Sequence, residues 1–398
     1  MHASPKVTAT SAGQVFGVFL KLGCTSFGGP VAHIGYFRNE FVSARKWIDD
    51  QAFADLVALC QFLPGPMSSQ VGMAIGWKQA GWRGALAAWL GFTLPSAALM
   101  VAFAYELKGV GDVSHKGWIY GLEIAAVAVV AQAVLLMAGK LCPDAPRRAI
   151  AILALLLLSL FHGSWGQLSV VVFGAAAGAF CGRWFKPLAR PIEIRAAASR
   201  RCSFVCLGLF LSLLVCLPWF AGIWTIPSLK VFDSFYRAGA LVFGGGHVVL
   251  PLLQAATVGH GWLSQETFLA GYGAAQALPG PLFAFSAYLG EIIAPGGVTG
   301  ALLALIAIYL PAALVLFAAL PHWERLRHRN RIPQMLAGAN AAVVGLLAAA
   351  LYSPIWTSTI IDLRRLALAL AGFVALQFLH VRPWILVIFC AAVGAAFL

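Results

Sequence analysis

Lys21 and Arg237 are cations inside apolar segments, each about two helical turns before a glycine motif: Phe27-Gly28-Gly29-Pro30 for the first and Phe243-Gly244-Gly245-Gly246 for the second. A cation in hydrocarbon costs several kcal/mol unless it is paired, hydrated or able to reach the interface. Two cations at matching places fit a role in facing an anion. The competing reading is that their long stems carry the charge out to the lipid headgroups.

A second pair of motifs, Pro64-Gly65-Pro66 and Pro279-Gly280-Pro281, also falls within apolar segments. Proline lacks an amide hydrogen and clashes with the preceding turn, while glycine enters conformations other residues avoid. The four motifs therefore read as helix interruptions. Backbone left unpaired at membrane depth is tolerated only where protein or a water-lined cavity covers it. The first amides of the next half-helix then form a positive end that suits an anion. A simple kink is the alternative, and it is the reading kept for Pro95 and Pro311.

Gln61 and Gln276 stand three residues before each PGP and can donate two hydrogen bonds without charge. Ser68, Ser69 and Gln70 follow the first PGP, where Phe283, Ala284 and Phe285 follow the second, so the two places can contribute unequally. Glu123 lies within an apolar segment, with Asn340 at the matching place, and is the candidate for carrying a proton. A satisfied polar residue between helices is the plainer reading of Glu123, and of His33 and His247 near the motif edges. No GxxxxGK[ST] loop, HExxH or Cys/His cluster of metal spacing occurs, so no cofactor is expected. The eight cysteines form no CxxC pair and read as small buried hydrophobes.

These residues are positioned by a chain that says one thing twice. Phe19, Lys21, Gly23 and FGG recur as Phe235, Arg237, Gly239 and FGG. Trp47, Phe53, Gln61 and LPGP recur as Trp262, Phe268, Gln276 and LPGP; Leu94-Pro95 recurs as Leu310-Pro311, and Arg147-Arg148 as Arg364-Arg365. The offset stays between 215 and 217 residues. The composition is 61% hydrophobic and 10% charged, against roughly 25% charged in a soluble domain. Many apolar stretches approach the roughly 20 residues that span a bilayer. The expected fold is an all-α polytopic membrane protein.

Six apolar segments fill residues 1–182, near 12–37, 52–76, 82–105, 117–139, 149–162 and 165–182. A basic linker, 183–201, and an extra apolar segment, 202–223, precede a second set within 224–398. Seven crossings between equivalent points is an odd number, which inverts the second copy. The charges agree. The linker and the cluster Arg325, Arg327, Arg329 and Arg331 read as cytoplasmic, and the connections 256–265 and 294–298 contain no Lys or Arg. Their first-copy counterparts contain or adjoin Arg38, Arg45, Lys46, Lys78 and Arg83. Re-entrant motif segments suit those charges better than full spans. The net charge of +13 is thus a membrane-topology signal rather than a nucleic-acid footprint. Met1 to Ser11 lacks the order of a signal peptide, so the first apolar segment is expected to direct insertion.

FGGPVAHIGYF and W-x5-F-x7-Q-x-LPGP-x3-Q in the first copy, with FGGGHVVLPLL and QALPGP in the second, resemble the chromate ion transporter (CHR) family in its long-chain, two-repeat form. The resemblance covers nearly the whole chain. It implies a carrier of the bacterial inner membrane that exports chromate, driven by the membrane potential or proton-motive force, and so confers resistance. Chromate has the shape and charge of sulfate, so sulfate is both a competitor and an alternative substrate. A membrane-embedded enzyme is a remote alternative, because the apolar segments supply few acids, bases or nucleophiles.

Overall fold

The computed structural model describes residues 10–110, 116–160, 164–185, 200–224, 226–243, 246–322 and 331–397. Most of the basic linker, Gly244, Gly245 and the arginines at 325, 327 and 329 lie outside them. The described residues are helical and contain no strand. Five helices among them are long and apolar enough to cross a membrane.

The first copy begins with α1 (Ala12–Thr25), started by a capping box between Ser11 and Gln14. Gly28, at φ 97°, ends the break that follows and leads into α2 (Gly29–Phe37). α3 (Asp50–Phe62) starts on the Asp49 side chain, which accepts from the Ala52 amide. The first PGP separates it from α4 (Met67–Val110). Within α4 the chain reverses at Ala80 and Gly81, whose dihedrals are not helical. The two arms then touch, with the Gly84 carbonyl against Gly76. α5 (Gly117–Leu141), α6 (Ala145–Leu160) and α7 (Ser164–Cys181) complete the copy.

α8 (Arg200–Ile223) is the extra helix. The second copy repeats the plan with α9 (Pro227–Ala240), α10 (Val249–Thr257), α11 (Gln265–Ala277), α12 (Phe285–Ile292) and α13 (Gly297–Ala319). Ser264 caps α11 as Asp49 caps α3. Gly290 and Gly300 touch as Gly76 and Gly84 do, so α12 and α13 match the two arms of α4. The last three long helices are α14 (Arg331–Ala350), α15 (Leu363–Gln377) and α16 (Pro383–Phe397). Pro95 and Pro311 sit inside continuous helix.

The copies are interlocked rather than side by side. α16 packs on α5, and α7 packs on α14. Small residues allow this approach: Gly121 meets the backbone of Cys390, and Gly174 and Gly178 meet Gly338. Each copy therefore closes its core with the other copy's last helices.

Candidate functional site

Proline-rich turns have few amides, and helix ends have unpaired carbonyls. The two copies solve both problems for each other. The Gly65 amide donates to the Val242 carbonyl at 2.7 Å, and the Gly280 amide donates to the Ser26 carbonyl at 2.8 Å. Each PGP turn is thus tied to the residue just before the other copy's FGG. Gly65 and Gly280 hold φ of 113° and 91°. A Cβ on Gly65 would lie 2.5 Å from the Cβ of Ala312, and one on Gly280 would lie 2.9 Å from Ser96 Oγ. Ser96 and Ala312 are themselves counterparts. Pro30 and its counterpart Gly246 meet each other, with a Cβ on Gly246 3.1 Å from Pro30 Cγ. A residue that touches its own counterpart lies on the pseudo-two-fold axis, and reciprocal contacts of this kind are isologous.

Polar side chains gather at this crossing. Gln70 donates through Nε2 to the carbonyls of Pro64 (2.9 Å) and Ala312 (3.1 Å), one from each copy. His33 is fully buried, with Nδ1 3.3 Å from Ser68 Oγ and its ring edge-on to Phe92. The Tyr309 hydroxyl interacts with the Thr93 and Ser69 hydroxyls, although none of the three makes a hydrogen bond of full geometry. Thr93 and Tyr309 are again counterparts meeting across the axis.

Six atoms of this group are buried and unpaired: Ser26 Oγ, His33 Nε2, Ser69 Oγ, Gln70 Oε1, Thr93 Oγ1 and Tyr309 OH. Leaving a buried polar group unsatisfied costs about 1–3 kcal/mol. Six in one place ask for an explanation that packing alone does not give. Four are hydroxyls and one is an imidazole nitrogen, all able to donate. Carboxylates are absent from the group. An anion that accepts many hydrogen bonds matches this inventory.

The other sequence-selected residues distribute around the crossing. Pro64, Gly65, Pro66, Pro279, Gly280 and Pro281 are buried in it. Gly28 is exposed, and Phe27, Gly29, Pro30 and Phe243 are half-buried. Gln61 is exposed, whereas Gln276 is half-buried with Nε2 unpaired. Lys21 is 67% exposed and lies 4.0 Å from Glu40. Arg237 is 24% exposed and grips Asp233 with two bonds, at 3.0 and 2.6 Å. Each cation therefore has an acid of its own copy. Arg237 also lines a cavity of about 1140 Å³, and Lys21 does not. Glu123 is buried with Oε1 unpaired, and the charges acting on it are Glu266 and Arg365. Arg365 itself stacks on Tyr120, 3.9 Å from the ring centre and one turn from Glu123.

Ser26, Thr93 and Tyr309 escaped sequence reasoning. The repeated Leu-Pro pair, directly after Thr93 and Tyr309, was the available signal for the last two.

Comparison with known proteins agrees with the duplication. A family model described as chromate transporter matches residues 13–179 and again 229–395. A chromate transport protein of Pseudomonas aeruginosa is 29% identical over 359 residues, covering 84% of this chain and 79% of that one. A chromate transport protein of Cupriavidus metallidurans is 27% identical over 356 residues, covering 88% and 83%. An uncharacterized transporter of Bacillus subtilis, YwrB, is 33% identical over 112 residues, or 28% of this chain and 55% of its own length. No solved structure matches.

Proposed function

This chain belongs to the chromate transporter family, and on that premise we propose that it exports chromate from the cytoplasm by alternating access, holding the ion at the crossing of the two copies. The observation that carries this reading is the group of six unpaired buried polar atoms on the pseudo-two-fold axis. Ser26, His33, Ser69, Thr93 and Tyr309 replace the water of a tetrahedral oxyanion. The first turn of α4, directly after Pro66, adds a positive helix end. The PGP turns, tied to Val242 and Ser26 of the opposite copies, provide the walls around which the copies rock. Lys21 and Arg237 act nearer the two entrances, where each shares its charge with an acid.

A negative-inside potential favours expelling an anion by about 2.3 kcal/mol per charge per 100 mV. Export of a dianion can run on that alone. Glu123 offers a proton-coupled route, because a buried carboxyl beside both Arg365 and Glu266 binds or releases a proton according to which neighbour dominates. Sulfate is the competing substrate, since its shape and charge are nearly those of chromate.

Chromate uptake into everted vesicles tests the proposal. Uptake should require the protein, fall on addition of an uncoupler, and drop by roughly a hundredfold in Tyr309→Phe combined with Thr93→Val, at equal membrane abundance. Wild-type uptake in that double variant would remove the crossing from the mechanism. Suppression by equimolar sulfate would make sulfate the better substrate.

A further inference from the structure

The large cavity lies away from the crossing, walled by α8, α9, α10 and the start of α11, with α6, α7 and α14 behind. Its lining contains one acid, Asp233, which Arg237 already holds. Lys230 also lines it and has no ion pair among the described residues. Gln265 lines it with a buried Nε2 that has no partner. In a mostly apolar lining, Lys230 and Gln265 therefore offer uncommitted donors, and the charges sum to a single positive one.

The first copy is built differently at the matching place. There Arg38 grips Asp50 at 2.7 and 3.1 Å, tying the chain after α2 to the start of α3. The same tie in the second copy joins Gln254 Nε2 to Gln265 Oε1 at 2.8 Å. One copy uses an ion pair, and the other a neutral amide pair that faces the cavity. The neutral pair keeps the tie with neither the carboxylate nor the guanidinium of the first copy, so the Gln265 amide is left facing the cavity without a charged partner. α8 adds a wall, through Pro218, Ala221 and Gly222, that has no counterpart in the first copy.

Position along α8 fixes the side. Pro218 lies 18 residues beyond Arg200, the α8 end that adjoins the basic linker, a rise of about 27 Å at 1.5 Å per residue. The cavity is thus at the membrane face opposite the linker. The connection 256–265, which contributes His260 and Trp262, carries no Lys or Arg, as a non-cytoplasmic loop should.

We propose that this chamber is a second oxyanion site in series with the crossing, an exit vestibule on the non-cytoplasmic face where Lys230, Arg237 and Gln265 hold the departing dianion. The inference rests on the transport reading above and adds a site to it. A phosphate on an anionic lipid headgroup shares the same chemistry.

Equilibrium binding of radiolabelled chromate to the full chain in phosphatidylcholine nanodiscs separates the cases. Two sites per chain are expected. Lys230→Gln, or Gln265→Glu, should weaken one of them roughly tenfold and leave the other unchanged. Tyr309→Phe with Thr93→Val should do the reverse. Thermal unfolding of each variant verifies that it is folded. A single site, lost only in the Tyr309 and Thr93 variant, overturns the vestibule and leaves the transport reading standing. No binding at all overturns both. A second site that vanishes when phosphatidylglycerol is added, with that lipid retained on the protein, assigns the chamber to lipid phosphate and overturns the inference.

Discussion

Gly65 and Gly280 are the residues on which the crossing turns. Both require left-handed backbone, and both face a neighbour that an added methyl would strike. Gly65→Ala should lower the thermal midpoint and abolish transport. Ala312→Gly in the same chain should restore only the packing part, since the left-handed strain of about 1 kcal/mol or more remains. Full rescue would show that the dihedral is not strained there. Glu123→Gln should flatten the pH dependence of chromate transport, and an unchanged profile would discard Glu123 as the proton site. The motif glycines and prolines were legible because each is a rule-breaking residue repeated at a fixed offset. Thr93 and Tyr309 were not, because hydroxyls are ordinary in membrane helices and these two counterparts differ in type. The acids beside Lys21 and Arg237 were also missed. Asp233 lies four residues before Arg237, a helical spacing open to inspection. Glu40 reaches Lys21 only through the fold.

Two helices begin in the same unusual way. Asp144 accepts from the Arg147 amide and binds the Arg147 guanidinium, at the start of α6. Asp362 accepts from the Arg365 amide and lies 3.7 Å from the Arg365 guanidinium, at the start of α15. These contacts pair Arg147 with Arg365, one position away from the register that the adjacent arginines indicate in the sequence. Loops absorb an inserted residue, so only the capping geometry reveals which arginine is equivalent. The same capping holds Arg365 stacked on Tyr120, where its charge acts on Glu123. Asp362→Ala should cost about 1–2 kcal/mol through the lost cap, read as a lowered thermal midpoint. Transport should change in pH dependence as Arg365 is released toward Glu123; a variant altered in neither respect would reduce the motif to surface decoration. The segments and the break between them were visible as apolar runs, including the reversal at Ala80 and Gly81. Swapping of the last helices between copies left no trace in the sequence, because a glycine stripe says that a helix is approached, not by which partner.

At the scale of the molecule, the reciprocal bonds describe two copies related by a two-fold axis, and the charge distribution says that this axis lies in the membrane plane. Reporter fusions after residues 80 and 296 should then report opposite sides of the membrane. Reports from the same side would turn the arrangement into parallel repeats and relocate the vestibule. The two faces are not mirror equivalents, however. A neutral chamber wall stands on one, and an ionic tie on the other. Synthesis runs from one end, and that gives the tied backbones a consequence. When the ribosome has finished the first copy, the Gly65 amide and the Ser26 carbonyl have no acceptor or donor. They must wait in the bilayer until residues 242 and 280 arrive, so the nascent first copy is an unfinished protein that needs shelter by the insertion machinery. A gene encoding one copy alone would have to be matched by a second polypeptide at the moment of assembly.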